Sequence, residues 1–202
     1  MEWIYISLIS YFIGAVPFAY VIGMFLYHTD VRKHGSGNLG GSNTGRVLGG
    51  KAGVMVMTLD LLKVTLCVYL ALQIRREPLA ASCGAFWAAF GHCYPVYVRF
   101  RGGKAVAALY GFLFGLWVCA GYSCTVFLFP LIAFLLVLLT YKIVSLSSIL
   151  SSIFAVIYLS IVNAHISVTI CAAALAALIL LRHKGNIQRM FSGTERKITW
   201  LN

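Results

Sequence analysis

Seven stretches of apolar residues, each roughly 18–22 residues long or a little more, constrain this chain more than any other feature, because that is the length a helix needs to cross a bilayer. They fall at about 3–27, 52–72, 79–98, 105–122, 124–141, 143–162 and 165–181. Backbone polar groups in lipid must be satisfied within the segment, so the chain is read as all-α, a polytopic bundle of about seven transmembrane helices. Only 10% of the 202 residues are charged, against about 25% for an ordinary soluble domain. The polar segments are too short for a separate soluble unit, so residues 1–202 form one domain. The first stretch begins Met1-Glu2-Trp3, without a basic leader, and suits a span better than a cleavable signal.

Lys and Arg set the orientation. With the N-terminus outside, thirteen fall on the inner side: Arg32, Lys33, Arg46 and Lys51; Arg99, Arg101 and Lys104; Lys142; and Arg182, Lys184, Arg189, Arg196 and Lys197. Arg75 and Arg76 fall outside. The expected C-terminus is therefore cytoplasmic. The net charge of +11 reads first as topology and second as a site for anions, not as a nucleic-acid surface. The six cysteines lie mostly in apolar segments with no CxxC pair, so they read as packing residues.

Three polar motifs lie on the inner side. The first, HGSGNLGGSNTGR at 34–46, carries five glycines in thirteen residues, among them Gly37 and Gly40. Such a loop can turn sharply and bring N–H groups to an oxyanion. Ser36, Asn38, Ser42 and Asn43 add neutral hydrogen-bonding groups, and Arg46 adds a forked cation suited to phosphate. A flexible loop would share the composition. The near match GRVLGGKA at 45–52 ends in Ala52 where a nucleotide P-loop needs a hydroxyl, and it follows a membrane helix rather than a strand, so a P-loop is rejected.

The second motif, FGHCYPVYVRFRGGKAVA at 90–107, places Gly102, Gly103 and Lys104 at the start of a helix, where exposed amides and a point charge suit a phosphate. His92 lies near the inner half of the third span, where ionisable groups are functional candidates. The third motif, RHKGNIQRMFSGTERK at 182–197, puts His183 and Asn186 on one face if the helix continues, and holds Glu195, one of only five acids. Asp60 and Lys63, three apart in the second span, read as a self-neutralising structural pair.

Spacing also excludes chemistry. No histidine is followed by aspartate five residues on, no GxSxG elbow occurs, and neither paired carboxylates nor a metal-ligand cluster appears. The ligand these motifs suit is small and multiply anionic, with an apolar part that can enter from the bilayer.

Taken in order, GSGNLGGSNTGRVLGGKAG, FGHCYPVYVRFRGGKAVA and RHKGNIQRMFSGTERKI closely resemble the three motifs of the bacterial acyl-phosphate:glycerol-3-phosphate acyltransferases, and the likeness extends over nearly the whole chain. The resemblance implies a multi-pass enzyme of the bacterial inner membrane with its active site on the cytoplasmic face. It implies acyl transfer from acyl phosphate to the 1-hydroxyl of glycerol 3-phosphate, giving lysophosphatidic acid and phosphate for phospholipid synthesis. It makes Ser36, Lys104, His183 and Asn186 the expected catalytic residues. The substrate-binding set is Gly37, Asn38, Gly40, Ser42, Asn43, Arg46, Gly102 and Gly103, to which His92 and Glu195 are added. Glycerol 3-phosphate, acyl phosphate and membrane lipid are the expected partners, with no cofactor, no metal and no nucleic acid. Three departures stand out: Gly41-Ser42 replaces the usual Ala-Thr, Ala105 the usual Gly after the lysine, and Ala108 a usual Thr. The rivals are an organic-phosphate transporter, a structural subunit with a basic tail, and an acyl-CoA-dependent enzyme.

Overall fold

Pro17 breaks the first apolar stretch in two. It has no N–H to give and holds the preceding residue out of helical geometry. In the computed structural model, which describes residues 1–198, α1 (Glu2–Gly14) therefore ends before it and α2 (Phe18–Tyr27) starts after it. A 3₁₀ turn (Val31–Lys33) follows, and then α3 (Gly41–Leu48), a short helix where the sequence suggested only a loop. The long α4 (Gly50–Ile74) crosses the molecule, and α5 (Pro78–Cys93) returns, stopping ahead of Tyr94-Pro95. After a 3₁₀ turn (Val96–Val98) come α6 (Val106–Ala120), α7 (Thr125–Tyr141), α8 (Val144–Ile161), α9 (Ile166–Arg182) and α10 (Lys184–Phe191). The described residues contain no strand.

Every expected apolar segment thus contains a helix. By length and apolarity, three segments can cross a membrane: the α1–α2 stretch of 26 residues, α4 and α8. The pair α9–α10, bent by 60°, makes a fourth if counted as one span. The apolar helices α6 and α7 are shorter, at 15 and 17 residues.

Lipid gives no hydrophobic drive between helices, so small residues that admit close packing decide the contacts. At the crossing of α1 and α5, a Cβ on Gly14 would overlap the Ala88 carbonyl, and one on Gly91 the Tyr11 carbonyl. Gly111, the first glycine of the GFLFG spacing, brings α6 onto the Leu61 carbonyl of α4. Around these contacts a core forms from Val64 and Val68 of α4, Ala81, Ala85 and Ala88 of α5, Phe112, Leu113 and Leu116 of α6, and Leu175 and Ile179 of α9. Large apolar side chains such as Ile4, Phe25, Leu136 and Ile170 point outward instead, which is where a bilayer would cover them. α8 buries Ser147 and Ser148, whose hydroxyls donate to the carbonyls of Ile143 and Val144 one turn back, so their burial leaves no unmet polar group.

Candidate functional site

Three separate stretches of chain meet at one end of the bundle. The first is wound around a single buried side chain, Asn43. Its amide nitrogen donates to the Val31 carbonyl at 3.0 Å and to the His34 carbonyl at 3.3 Å, and its Oδ1 accepts from the Ser36 N–H at 2.8 Å. Gly35 and Gly37 both take left-handed backbone angles, with φ of 63° and 70°, which cost a residue with a Cβ roughly 1–2 kcal/mol. Asn43 is thus a clamp for the loop, with its polar atoms spent on it. The Ser36 side chain stays exposed, and Asn38 is half-buried. Gly40 caps α3, and the amides of Gly41 and Ser42 open that helix, where no intrahelical acceptor exists. Leu39 and Val98 are buried in one apolar cluster, which ties this loop to the second.

The second stretch differs from its sequence reading in one respect. The amides of Gly102 and Gly103 are not presented to solvent; they donate to the carbonyls of Cys93 and His92 at 3.2 and 3.0 Å. The carbonyls of the same two glycines accept from Arg182, at 2.9 and 3.0 Å. The free donors lie just beyond, in Val106, Ala107 and Ala108 of the first turn of α6, directly after Lys104. The turn is made by Ala105 in left-handed geometry, with φ of 60°. His92 is buried beneath this loop, inside the bundle. There its Nδ1 lies 3.1 Å from the Lys63 ammonium, and the Lys63–Asp60 pair is confirmed at 2.6 Å.

The third stretch supplies partners for Lys104. The Lys104 ammonium donates to Asn186 Oδ1, and the Asn186 amide donates to Glu195 Oε1 at 2.5 Å. Glu195 also accepts from Ser145 at 2.8 Å and from Arg189 at 2.8 Å. His183 is 3% exposed and donates Nδ1–H to the Ile179 carbonyl at 2.8 Å, which leaves Nε2 as an acceptor. Arg46, from the first stretch, lies within electrostatic reach of Lys104, Glu195 and Arg196.

The electrostatics follow from crowding cations with one acid. Burial pushes the Lys104 ammonium down to about 8; the charge of Glu195 works against this, and those of Arg189, Arg182 and Arg46 reinforce it. Burial, seconded by the Arg196 charge, lowers Arg46 from its ordinary value. His183 falls to about 4, chiefly through burial, so its imidazole is neutral at pH 7. Burial works against the Glu195 charge, but hydrogen bonds from Asn186, Ser145 and Arg189 outweigh it and hold its carboxyl below the usual range. Two cations, Arg46 and Lys104, and a neutral imidazole acceptor lie within electrostatic reach of one another, with the first turn of α6 beside Lys104, a set that suits anionic groups.

Arg182 and Ser145 are contributions that a sequence reading misses. Arg182 looks like a positive-inside anchor, yet it holds the second loop through two carbonyls and lies over the Tyr94 ring at 5.2 Å. Ser145 is one of several serines in α8, and nothing local marks its contact with Glu195, 50 residues away.

A family profile described as "Glycerol-3-phosphate acyltransferase" matches residues 4–193. Over 197 residues the chain is 44% identical to the glycerol-3-phosphate acyltransferase of Geobacillus kaustophilus (strain HTA426), a match spanning 96% of this chain and 95% of that one. It is 36% identical over 201 residues to the glycerol-3-phosphate acyltransferase of Streptococcus pyogenes serotype M5 (strain Manfredo), spanning 95% and 91%. Among solved structures, it superposes on PlsY (YgiH), described as an integral membrane glycerol 3-phosphate acyltransferase, in its glycerol 3-phosphate form. The TM-score is 0.91 at 33% identity, covering 100% of this chain and 98% of that one. The lysophosphatidic acid form gives a TM-score of 0.89 at 32% identity, covering 100% and 97%.

Proposed function

The chain belongs to the glycerol-3-phosphate acyltransferase family, and from that premise we propose a donor, a geometry and a set of roles for its reaction. It is an integral membrane enzyme that acylates glycerol 3-phosphate, a step of phospholipid synthesis. The proposed donor is acyl phosphate, and the proposed acceptor atom is the 1-hydroxyl. The observation that carries the reading is the polar chain from Lys104 through Asn186 to Glu195, with Arg46 facing the same charges.

Acyl phosphate is a mixed anhydride with a good leaving group, so the reaction requires no acyl-enzyme. The glycerol oxygen attacks the acyl carbon, an ester bond forms, the carbon–oxygen bond to phosphorus breaks, and phosphate leaves. Lys104 and the first amides of α6 hold one phosphate; Arg46, the Ser36 hydroxyl and the first amides of α3 hold the other. Alignment and fixed positive charge supply the rate. Asn186 orients Lys104, and Glu195 orients Asn186. His183 accepts a hydrogen bond through Nε2 from the neighbouring, non-reacting hydroxyl of glycerol 3-phosphate and so positions the acceptor, leaving the proton of the attacking hydroxyl free to pass to a phosphate oxygen. Burial holds the His183 imidazole down to about 4, whereas a phosphate monoester has its second pKa at about 6. The phosphate oxygen is the stronger base and takes the proton.

Residues 1–202 act as one domain. The proposed topology is seven spans with the N-terminus outside, the C-terminus inside and the site on the cytoplasmic face of a bacterial plasma membrane; thirteen inner against two outer Lys and Arg residues support it. A transporter would place its site near the midplane between repeats, whereas these motifs gather at one end.

One assay tests the reading. Purified protein is given labelled glycerol 3-phosphate with acyl phosphate, acyl-CoA or acyl carrier protein. Label should enter lysophosphatidic acid with acyl phosphate, with release of inorganic phosphate. Product formed only from acyl-CoA or only from acyl carrier protein would overturn the donor assignment.

A further inference from the structure

One buried cluster of ionisable groups has no part in the roles proposed above, although the sequence reading counted His92 among the substrate-binding residues. Lys63 and Asp60 of α4 and His92 of α5 are each 2–7% exposed. The Lys63 ammonium has three acceptors within hydrogen-bond distance: Asp60 Oδ1 at 2.6 Å, the Val16 carbonyl at 2.9 Å and His92 Nδ1 at 3.1 Å. An ammonium carries three donors and no acceptor. All three are therefore used, and Nδ1 of His92 must be an acceptor. Asp60 stands 3.5 Å from the same Nδ1, which has no proton left to offer it. The ring proton is thus on Nε2. That edge of the ring lies under Gly103, where a Cβ would overlap Nε2. The His92 carbonyl accepts from the Gly103 N–H at 3.0 Å, and Arg182 takes the carbonyls of Gly102 and Gly103. The next residue is Lys104.

Stability alone gives little reason for such a unit. A buried ion pair is often matched or bettered by apolar residues of similar size, whereas removing one partner leaves a costly unpaired charge. A fixed ring under a loop without side chains has a positional use instead.

We propose that Asp60, Lys63 and His92 are positioning residues for acyl transfer: the Asp60–Lys63 pair fixes the tautomer and orientation of His92, and the ring forms the rigid floor on which Gly103 rests, setting where the Lys104 ammonium meets the donor phosphate. The inference rests on the assignment of Lys104 to the donor. The unit also anchors the α1–α2 break, because the Val16 carbonyl is one of the three acceptors of Lys63 and the Phe18 ring lies 5.5 Å from its ammonium.

The test uses the full chain in detergent, with whichever donor the wild type accepts, so a wrong donor assignment and a wrong positioning assignment give separate results. The double variant Asp60→Leu with Lys63→Met removes both charges together. Its thermal unfolding should stay near that of the wild type. Its kcat/KM for the donor should fall about 10-fold to 100-fold, as expected for a displaced catalytic group, while KM for glycerol 3-phosphate stays within about twofold. His92→Gln places an amide N–H near the Nε2 position and should keep most of the activity; His92→Ala should lose it. A folded double variant with wild-type kcat and KM overturns the proposal. If the double variant does not fold, the His92 pair decides: equal donor kinetics for the Gln and Ala variants overturn it, and rescue by Gln supports it.

Discussion

Lys104 is the side chain on which most of the proposed chemistry turns. Its ammonium is held by Asn186 and surrounded by three guanidinium groups and one carboxylate. Removing one preorganised charge of this kind costs about 10²–10³ in rate. Lys104→Ala and Arg46→Ala should each lower kcat/KM by that much with thermal unfolding unchanged; wild-type initial rates in the purified variants would refute the roles. The depressed value near 8 also predicts a pH profile. Lys104 carries its charge below about 8 and loses it above, so kcat/KM for the donor should fall as pH rises through that value. Lys104→Arg, which stays charged, should remove the alkaline limb from whatever activity it retains; an unchanged limb would assign it to another group. The family departure at Ala105 is a smaller matter. Left-handed geometry costs alanine roughly 1–2 kcal/mol, and burying its methyl returns about 0.8 kcal/mol. These terms nearly cancel, so Ala105→Gly should shift stability by no more than about 1 kcal/mol by denaturant unfolding.

At the scale of helices, contact is decided by where side chains are missing. The crossing of α1 and α5 depends on Gly14 and Gly91, at each of which a Cβ would overlap a carbonyl of the other helix. Gly91→Ala should therefore separate these helices and destabilise the protein by roughly 1–3 kcal/mol. Thermal unfolding in detergent reads this directly, and activity should fall further than the folded fraction does. The same crossing carries His92 one residue further on, so the strain would reach the floor of the second loop as well. By contrast, α10 buries none of its residues. Its place is set by the 60° bend after α9, by Ile187 and Met190, which pack partly buried against the core, and by the contacts of Asn186 and Arg189 with Glu195.

At the scale of the molecule, the proposed mechanism needs all three stretches on one side of the membrane. Single cysteines placed at Lys33, Arg99 and Lys184 should react with an impermeant reagent only after the inner face is opened, and one at Arg76 should react from outside. Labelling of any of the first three from the outside would remove the pocket.

Local chemistry made much of this legible. Apolar length and the sign of the loops depend on nearest neighbours in the chain, so the helical class, the position of each apolar segment and the three polar motifs follow from sequence. The same holds for Asp60 and Lys63, which one helical turn brings together. Hydrogen-bond partners across the bundle depend instead on how helices pack. Arg182 reaches Gly103 across 79 residues, Lys104 reaches Asn186 across 82, and Lys63 reaches His92 across 29. Only the packed structure decided that the Gly102 and Gly103 amides are turned inward, that α3 is a helix, and that His183 is oriented by a backbone carbonyl and not by an acid. A carbonyl looks the same at every position of a sequence; which one is left open to a given donor is fixed when the helices close on one another.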